Sequence, residues 1–262
     1  SDTHSFPTRR SSDLPDDFRY SEYAHQGAAW LTFALAISTF LLSGIFNYRM
    51  RTSPGVKKLK KLGWIWSLEN VILAVCAYHR LNIYIQYNGL SRMRIIGIFG
   101  VTVVVVGLFL VVFKITRDKD FLWLIRRQLA ALFLTIFFLL IIPMGYIATK
   151  YNVAKILEGN PAPSVQLAVH PIGADGCPAL LGLKDAENPN IRRGAKALMA
   201  KNRKQLIHEK NSEKTNWTFF QMARKRAISI FNENRDIWNE YDNYKWQTAV
   251  EEFENYARQW YD

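Results

Sequence analysis

The chain has 262 residues, of which 49% are apolar and 14% aromatic, and its formal net charge is +12. Residues 15–152 contain 16 Lys and Arg against 6 Asp and Glu, whereas residues 153–262 contain 16 against 14. Because the positive excess lies between long apolar runs, it is typical of loops at the inner surface of a membrane and argues against a nucleic-acid-binding protein.

The first 14 residues contain neither a periodic apolar pattern nor the apolar core of a signal peptide. Residues 4–14, HSFPTRRSSDL, coincide with one translated frame of a widely used DNA sequencing adapter. We therefore expect residues 1–14 to be foreign to the protein, whose own sequence would then begin further upstream.

Three uncharged apolar runs predict membrane-spanning helices at residues 28–46, 95–113 and 129–147. As a helix, each run covers about 28 Å, close to the roughly 30 Å thickness of the hydrocarbon layer of a membrane. Pro143 predicts a kink near the end of the third helix, which neighbouring helices can tolerate in a membrane.

A fourth span is predicted at residues 64–78, although an interfacial or re-entrant helix is an alternative. The segments 47–63 and 114–127 are both strongly basic, and the positive-inside rule places both in the cytoplasm. The chain must then cross the membrane twice between them, which requires a span at residues 64–78. Residues 15–157 are therefore predicted to form the four-span region of a polytopic, all-α membrane protein, with the C-terminal half outside the cytoplasm.

Four polar residues accompany this additional span: Glu69, Asn70, His79 and Arg80. Ionisable groups within a membrane are costly and often mark functional sites, so these residues form a candidate intramembrane polar site for an ion, a proton or a lipid headgroup. The alternative is that Glu69 and Asn70 hold helices together while His79 and Arg80 lie at the headgroups. The spacing does not predict a metal site, and no cofactor is expected.

Several stretches share features with one known family. They include the Glu69–Asn70 pair, the His79–Arg80–Leu81 turn, and the downstream stretches KYNVAKIL at residues 150–157 and DGCPALLGL at residues 175–183. The motif residues are Tyr20, Glu22, Tyr23, Tyr87, Gly89, Arg92 and Arg94. Together these stretches resemble the bacterial family named domain of unknown function 4173, which is related to domain of unknown function 4153. The resemblance implies a multi-pass protein of the bacterial cytoplasmic (inner) membrane and no particular reaction, because that family has no established activity.

Residues 158–164 are rich in Pro and Gly and predict a linker, followed by a small helical domain at residues 165–262. Apolar and aromatic residues recur there at helical spacing, which predicts helices around a small core. Two other interpretations are a basic helix on anionic headgroups and an aromatic surface that binds an envelope ligand. For an interaction surface, at least one of Trp238, Trp246 and Trp260 should be exposed.

The sequence contains no recognisable catalytic motif. We therefore expect a non-enzymatic envelope protein that senses or scaffolds. Its expected partners are membrane lipids and, through the C-terminal domain, other envelope proteins, but not nucleic acid. The alternative is a transporter or channel component with Glu69, Asn70 and Arg80 along a polar path. A membrane enzyme that uses Glu69 and His79 is disfavoured, because the two lie about 80° and roughly 15 Å apart on a helix.

Overall fold

A computed structural model describes residues 33, 37, 41, 56–117, 119–211, 220–241 and 245–260, and the regular elements among these residues are all helical. The α-helices are α1 (Val56–Asn88), α2 (Arg92–Arg117), α3 (Phe121–Ile141), α4 (Met144–Leu157), α5 (Ser164–Ala168), α6 (Pro189–Asn211), α7 (Phe220–Glu233), α8 (Arg235–Trp238) and α9 (Trp246–Arg258). Two 3₁₀ segments, Cys177–Leu183 and Asn239–Tyr241, complete the set. The predicted all-α class is confirmed for the part of the chain that is described.

Helices α1 and α2 form an antiparallel hairpin. Halfway along it, the hydroxyl groups of Tyr78 and Thr102 lie 2.6 Å apart. Trp66, near the start of α1, packs against an apolar cluster that contains Val111 of α2, whereas Ile85, near the end of α1, packs with residues at the start of α2. The beginning of α1 therefore lies beside the end of α2.

Helix α3 follows α2 after a short connection and ends at Ile141. Ile142 is extended, with φ −70° and ψ 125°, because Pro143 disfavours helical geometry in the residue before it. The helical boundaries therefore differ from the prediction of one kinked helix at residues 129–147, since α3 starts earlier and a new helix begins at Met144. The predicted basic loop 114–127 is also mostly helical.

Helices α2 and α3 are long and apolar enough to cross a membrane, and they are the two candidate spans in the described part of the chain. In α3, only Leu124 is buried, while Phe133 and Leu140 are 70% and 74% exposed. A helix on a soluble core buries an apolar stripe and exposes a polar face, but beyond Gln128 α3 is apolar on all sides apart from Thr135. Its surface therefore suits hydrocarbon rather than water.

The structure does not place the other two predicted spans in a membrane. Residues 64–78 lie within α1, which is helical but is not among the two candidate spans. Residues 28–46 fall outside the described residues except for Phe33, Ile37 and Leu41, which are helical and exposed.

The C-terminal helices surround one apolar core. Its largest fully buried side chains are Phe231, Trp238 and Phe253. The Trp238 indole N–H donates to the Phe231 carbonyl at 2.8 Å, so the buried polar atom is satisfied. Val153 and Ile156 of α4 belong to the same core, upstream of the predicted linker at residues 158–164. Helix α4 is thus part of the C-terminal unit.

Spin labels can test whether the apolar surface of α3 meets lipid. In a variant with Cys76 and Cys177 replaced by Ser and Ala, we expect a label at Phe133→Cys to be accessible to oxygen but protected from a water-soluble nickel complex. A label at Lys119→Cys, in the α2–α3 connection, is the control and should show the reverse. Nickel accessibility at position 133 in lipid bilayers would contradict the assignment.

Candidate functional site at the end of the α1–α2 hairpin

The hairpin turn is built around Gly89, which has a left-handed φ of +78° that favours glycine. A Cβ atom at this position would lie 2.6 Å from Oδ1 of Asn152 and 2.9 Å from Cβ of Pro163. Two residues later, the Ser91 hydroxyl accepts the Arg94 amide at 3.3 Å and caps the start of α2. The turn is therefore constrained both by its own backbone and by the elements packed against it.

Asn152 of α4 holds the buried backbone of this turn. Its side-chain oxygen accepts the Leu90 N–H at 2.7 Å, and its side-chain nitrogen donates to the Leu90 carbonyl at 2.8 Å. Asn152 is only 1% exposed. Leaving a buried backbone group unpaired costs about 1–3 kcal/mol. Asn152 avoids this cost for both backbone groups of Leu90, which water does not reach.

Asp175 connects the loop before the first 3₁₀ segment to both α2 and α4. One carboxylate oxygen lies 2.8 Å from the Arg92 guanidinium. The other accepts the backbone N–H of Gly145 at 2.7 Å and of Tyr146 at 3.3 Å. These amides belong to the first turn of α4, where an anion is favoured by the unpaired N–H groups and the helix dipole.

Arg94 is a buried cation, only 5% exposed. It donates to the Gly89 carbonyl, and its guanidinium carbon lies 4.6 Å from the centre of the Tyr84 ring. Its Nε has no hydrogen-bond partner, and no carboxylate among the described residues forms an ion pair with it. Burying a charge without a counterion costs several kcal/mol, so the burial of Arg94 is unfavourable for folding by itself.

A cavity of about 420 Å³ opens beside these residues. Trp260 contributes an aromatic wall that is 38% exposed, and the polar side chains of the lining are those of Asn88, Ser91, Arg92, Arg94, Thr149, Asn152, Gln166 and His170. No Asp or Glu lines it within the described ranges. Partial burial lowers the pKa of His170 from its ordinary value, and the positive charge of Arg94 lowers this pKa further.

The four residues of the predicted intramembrane site all lie along α1. Glu69 and His79 are exposed, and Arg80 is partly buried. Asn70 is 1% exposed and donates to the carbonyl of Trp66, one turn earlier in its own helix, at 2.7 Å. The role of these four positions in transport or in helix packing stays a prediction.

Part of the family-like motif does lie at one place in the structure. Gly89, Arg92 and Arg94 meet at the hairpin end, whereas Tyr87 is 60% exposed beside them. Tyr20, Glu22 and Tyr23 lie outside the described residues. Asn152 and Asp175 were not predicted as site residues, although both lie in the downstream stretches that resemble the family. The sequence signal that could have found them is that the motif at residues 87–94 and the stretches at residues 150–157 and 175–183 all resemble one family. The fold brings these three stretches together.

Over the residues that the structure describes, the fold and the site define an all-helical protein with two candidate membrane-spanning helices. The family described as Domain of unknown function (DUF4153) matches residues 6–183. The chain belongs to this family, which is related to domain of unknown function 4173. Membership of domain of unknown function 4173 itself is not shown. The match begins within residues 1–14, whose adapter origin stays a prediction. No curated protein and no solved structure matches the chain.

Alanine at Gly89 tests whether the hairpin turn is locked by α4. Gly159 is a matched control, because its φ of +95° is also left-handed but a Cβ atom there meets open space. We expect Gly159→Ala to cost about 1–2 kcal/mol from backbone strain alone. Gly89→Ala should lower the thermal unfolding midpoint in detergent clearly more, since it also displaces Asn152. Equal effects of the two substitutions would contradict the proposed lock.

The two roles of Asp175 can be separated by substitution. Asp175→Ala removes both the ion pair and the acceptor for α4, and should cost about 1–2 kcal/mol as a lost helix cap. Asp175→Asn keeps an acceptor and should be milder, because the partly exposed ion pair with Arg92 contributes less than about 1 kcal/mol. Thermal unfolding of both variants and of Arg92→Gln checks this order. An Asn variant as unstable as the Ala variant would show that charge, not capping, dominates.

Proposed function

We propose that this protein is a multi-pass protein of the bacterial cytoplasmic membrane whose C-terminal helical domain lies outside the cytoplasm and acts there as a non-enzymatic sensor or scaffold. The observation that carries the proposal is the seating of this domain on the end of the α1–α2 hairpin. Asn152 and Asp175 bind Leu90 and Arg92 directly, so an event at the domain is mechanically connected to the helices.

The charge distribution supports the orientation. The antiparallel hairpin brings Lys60 and Lys61, near the start of α1, to the same end as Lys114 and Arg117 of α2. Positive charge of this density is retained on the cytoplasmic side. Helix α3 then leads away from that side, and α4 with the C-terminal core follows on the opposite face of the membrane.

Aromatic side chains support the same placement of the basic end. The rings of Phe113 and Trp123 stack with their centroids 5.5 Å apart. Arg117 lies 5.9 Å from the Phe113 ring, and Arg127 lies 5.8 Å from the Trp123 ring. Aromatic rings with neighbouring cations are typical of the membrane interface.

The four-span topology is part of this proposal. Helix α1 has 33 residues, about 50 Å, which is ample to cross the hydrocarbon layer beside α2. Residues 28–46 supply the remaining span. Trp260 is exposed at the cavity, which leaves an aromatic position available to a ligand or to another envelope protein, while Trp238 is fully buried and Trp246 is partly buried.

Reporter fusions test the orientation. A phosphatase that is active only outside the cytoplasm and a fluorescent protein that matures only inside it are each fused after Asp262. We expect phosphatase activity without fluorescence. The matched control is fusion after Lys119, in the α2–α3 connection, where fluorescence without phosphatase activity is expected. A fluorescent fusion after Asp262 would contradict the proposal and make the C-terminal domain an intracellular module.

A further inference from the structure

We infer that the cavity beside Arg94 binds a phosphate-bearing group, presented either by an anionic lipid or by a soluble molecule. This inference names the chemical class of ligand that the C-terminal domain recognises. It rests on the proposed function for the side of the membrane on which the ligand binds.

The charge of the cavity is the first argument. Arg92 is neutralised by Asp175, but Arg94 has no carboxylate partner among the described residues and its Nε is unpaired. Arg94 is nevertheless 5% exposed and lines the cavity. A buried cation without a counterion is stabilised by an anion that enters the adjacent space.

The arrangement of donors is the second argument. A guanidinium group binds phosphate oxygens through parallel N–H groups. The side chains of Thr149, Gln166 and His170 add neutral or titratable donors around the same space. No carboxylate lines the cavity in the ranges described, and Asp175, which lies behind Arg92 and Gly145, is engaged by the Arg92 guanidinium and the amides of α4.

The size and position of the cavity favour phosphate attached to an organic group. Its volume of about 420 Å³ exceeds what an inorganic ion needs and lies within the common range for small-molecule sites. Apolar side chains, including Val165, Leu167 and Ile172, line it together with the polar groups. It also lies at the beginning of α2, a candidate span, at the level where lipid phosphates occur if α2 crosses the membrane.

The test uses the full chain in two parallel arms. In the lipid arm, the protein is reconstituted in nanodiscs of phosphatidylcholine with added phosphatidylglycerol, and the lipids retained after extraction are counted by native mass spectrometry. In the soluble arm, glycerol 3-phosphate and inorganic phosphate are titrated onto the protein in phosphatidylcholine nanodiscs, and the thermal midpoint is recorded. We expect saturable binding in at least one arm.

Matched variants assign the binding to the cavity. Arg94→Gln removes the charge and the Nη1 donor to the Gly89 carbonyl, and should weaken binding about tenfold or more. Arg117→Gln is the control, because it removes an exposed cation near an aromatic ring at the other end of α2 and should leave binding unchanged. His170→Glu places a carboxylate at an exposed position on the cavity and should abolish binding, whereas His170→Gln should still bind. This second pair of variants keeps the test decisive if Arg94→Gln does not fold.

Each outcome decides the inference. Retention of phosphatidylglycerol that His170→Glu abolishes identifies a lipid source, and a thermal shift by glycerol 3-phosphate or inorganic phosphate that His170→Glu abolishes identifies a soluble source. Binding in neither arm, or binding that survives His170→Glu, overturns it. An external reporter signal without phosphate binding would remove this inference alone, whereas a cytoplasmic reporter signal with binding intact would remove the proposed orientation alone.

Discussion

The amide side chain of Asn152 holds both backbone polar groups of Leu90 in a turn that is closed to water, and the remaining contacts between the hairpin and the C-terminal unit depend on this pair of hydrogen bonds. It fixes α4 against the hairpin, which in turn brings the amides at the start of α4 to Asp175 and Asp175 to Arg92. Without this clasp, the pair of hydrogen bonds between Asn152 and Leu90, two buried backbone groups would lose their partners and the adjacent cavity would lose a wall.

The clasp also explains how Arg94 can be buried. Its side chain lies beneath the turn that Asn152 closes and donates to the Gly89 carbonyl within that turn. The fold thus encloses a cation while leaving a cavity next to it. Arrangements of this kind are costly for stability alone and are more common where a ligand contributes the missing interactions.

The sequence predicted the parts of the fold that hydropathy controls. The uncharged run at residues 95–113 lies inside α2, because uninterrupted apolar sequence over this length has few alternatives to a membrane-type helix. Hydropathy underestimated the length of α1, because the polar residues at positions 69, 70, 79 and 80 do not interrupt the helix. It also missed the break before Pro143, where the local restriction on Ile142 ends α3.

The candidate site was less predictable, because its contacts join residues that are distant in sequence. Asn152 lies 62 positions after Leu90, and Asp175 lies 83 positions after Arg92. No local periodicity indicates such pairs. Only the likeness of separate stretches to one family hinted at them, and it did not show that the stretches meet. The ionisable residues of α1 are conspicuous in the sequence because charge is rare in an apolar segment, and Glu69 and His79 are exposed on the surface of that helix.

Cross-linking in membranes tests most directly whether the C-terminal unit is seated on the hairpin end. Met93 and Trp260 both line the cavity and are 71% and 38% exposed, so cysteines at these two positions should react with a short bis-maleimide in a variant without Cys76 and Cys177. The account predicts efficient intramolecular cross-linking of Met93→Cys with Trp260→Cys. It predicts none for Lys119→Cys with Trp260→Cys, which lie at opposite ends of α2, about 40 Å apart along its axis. Absence of the first cross-link, or equal yields for the two pairs, would contradict the account.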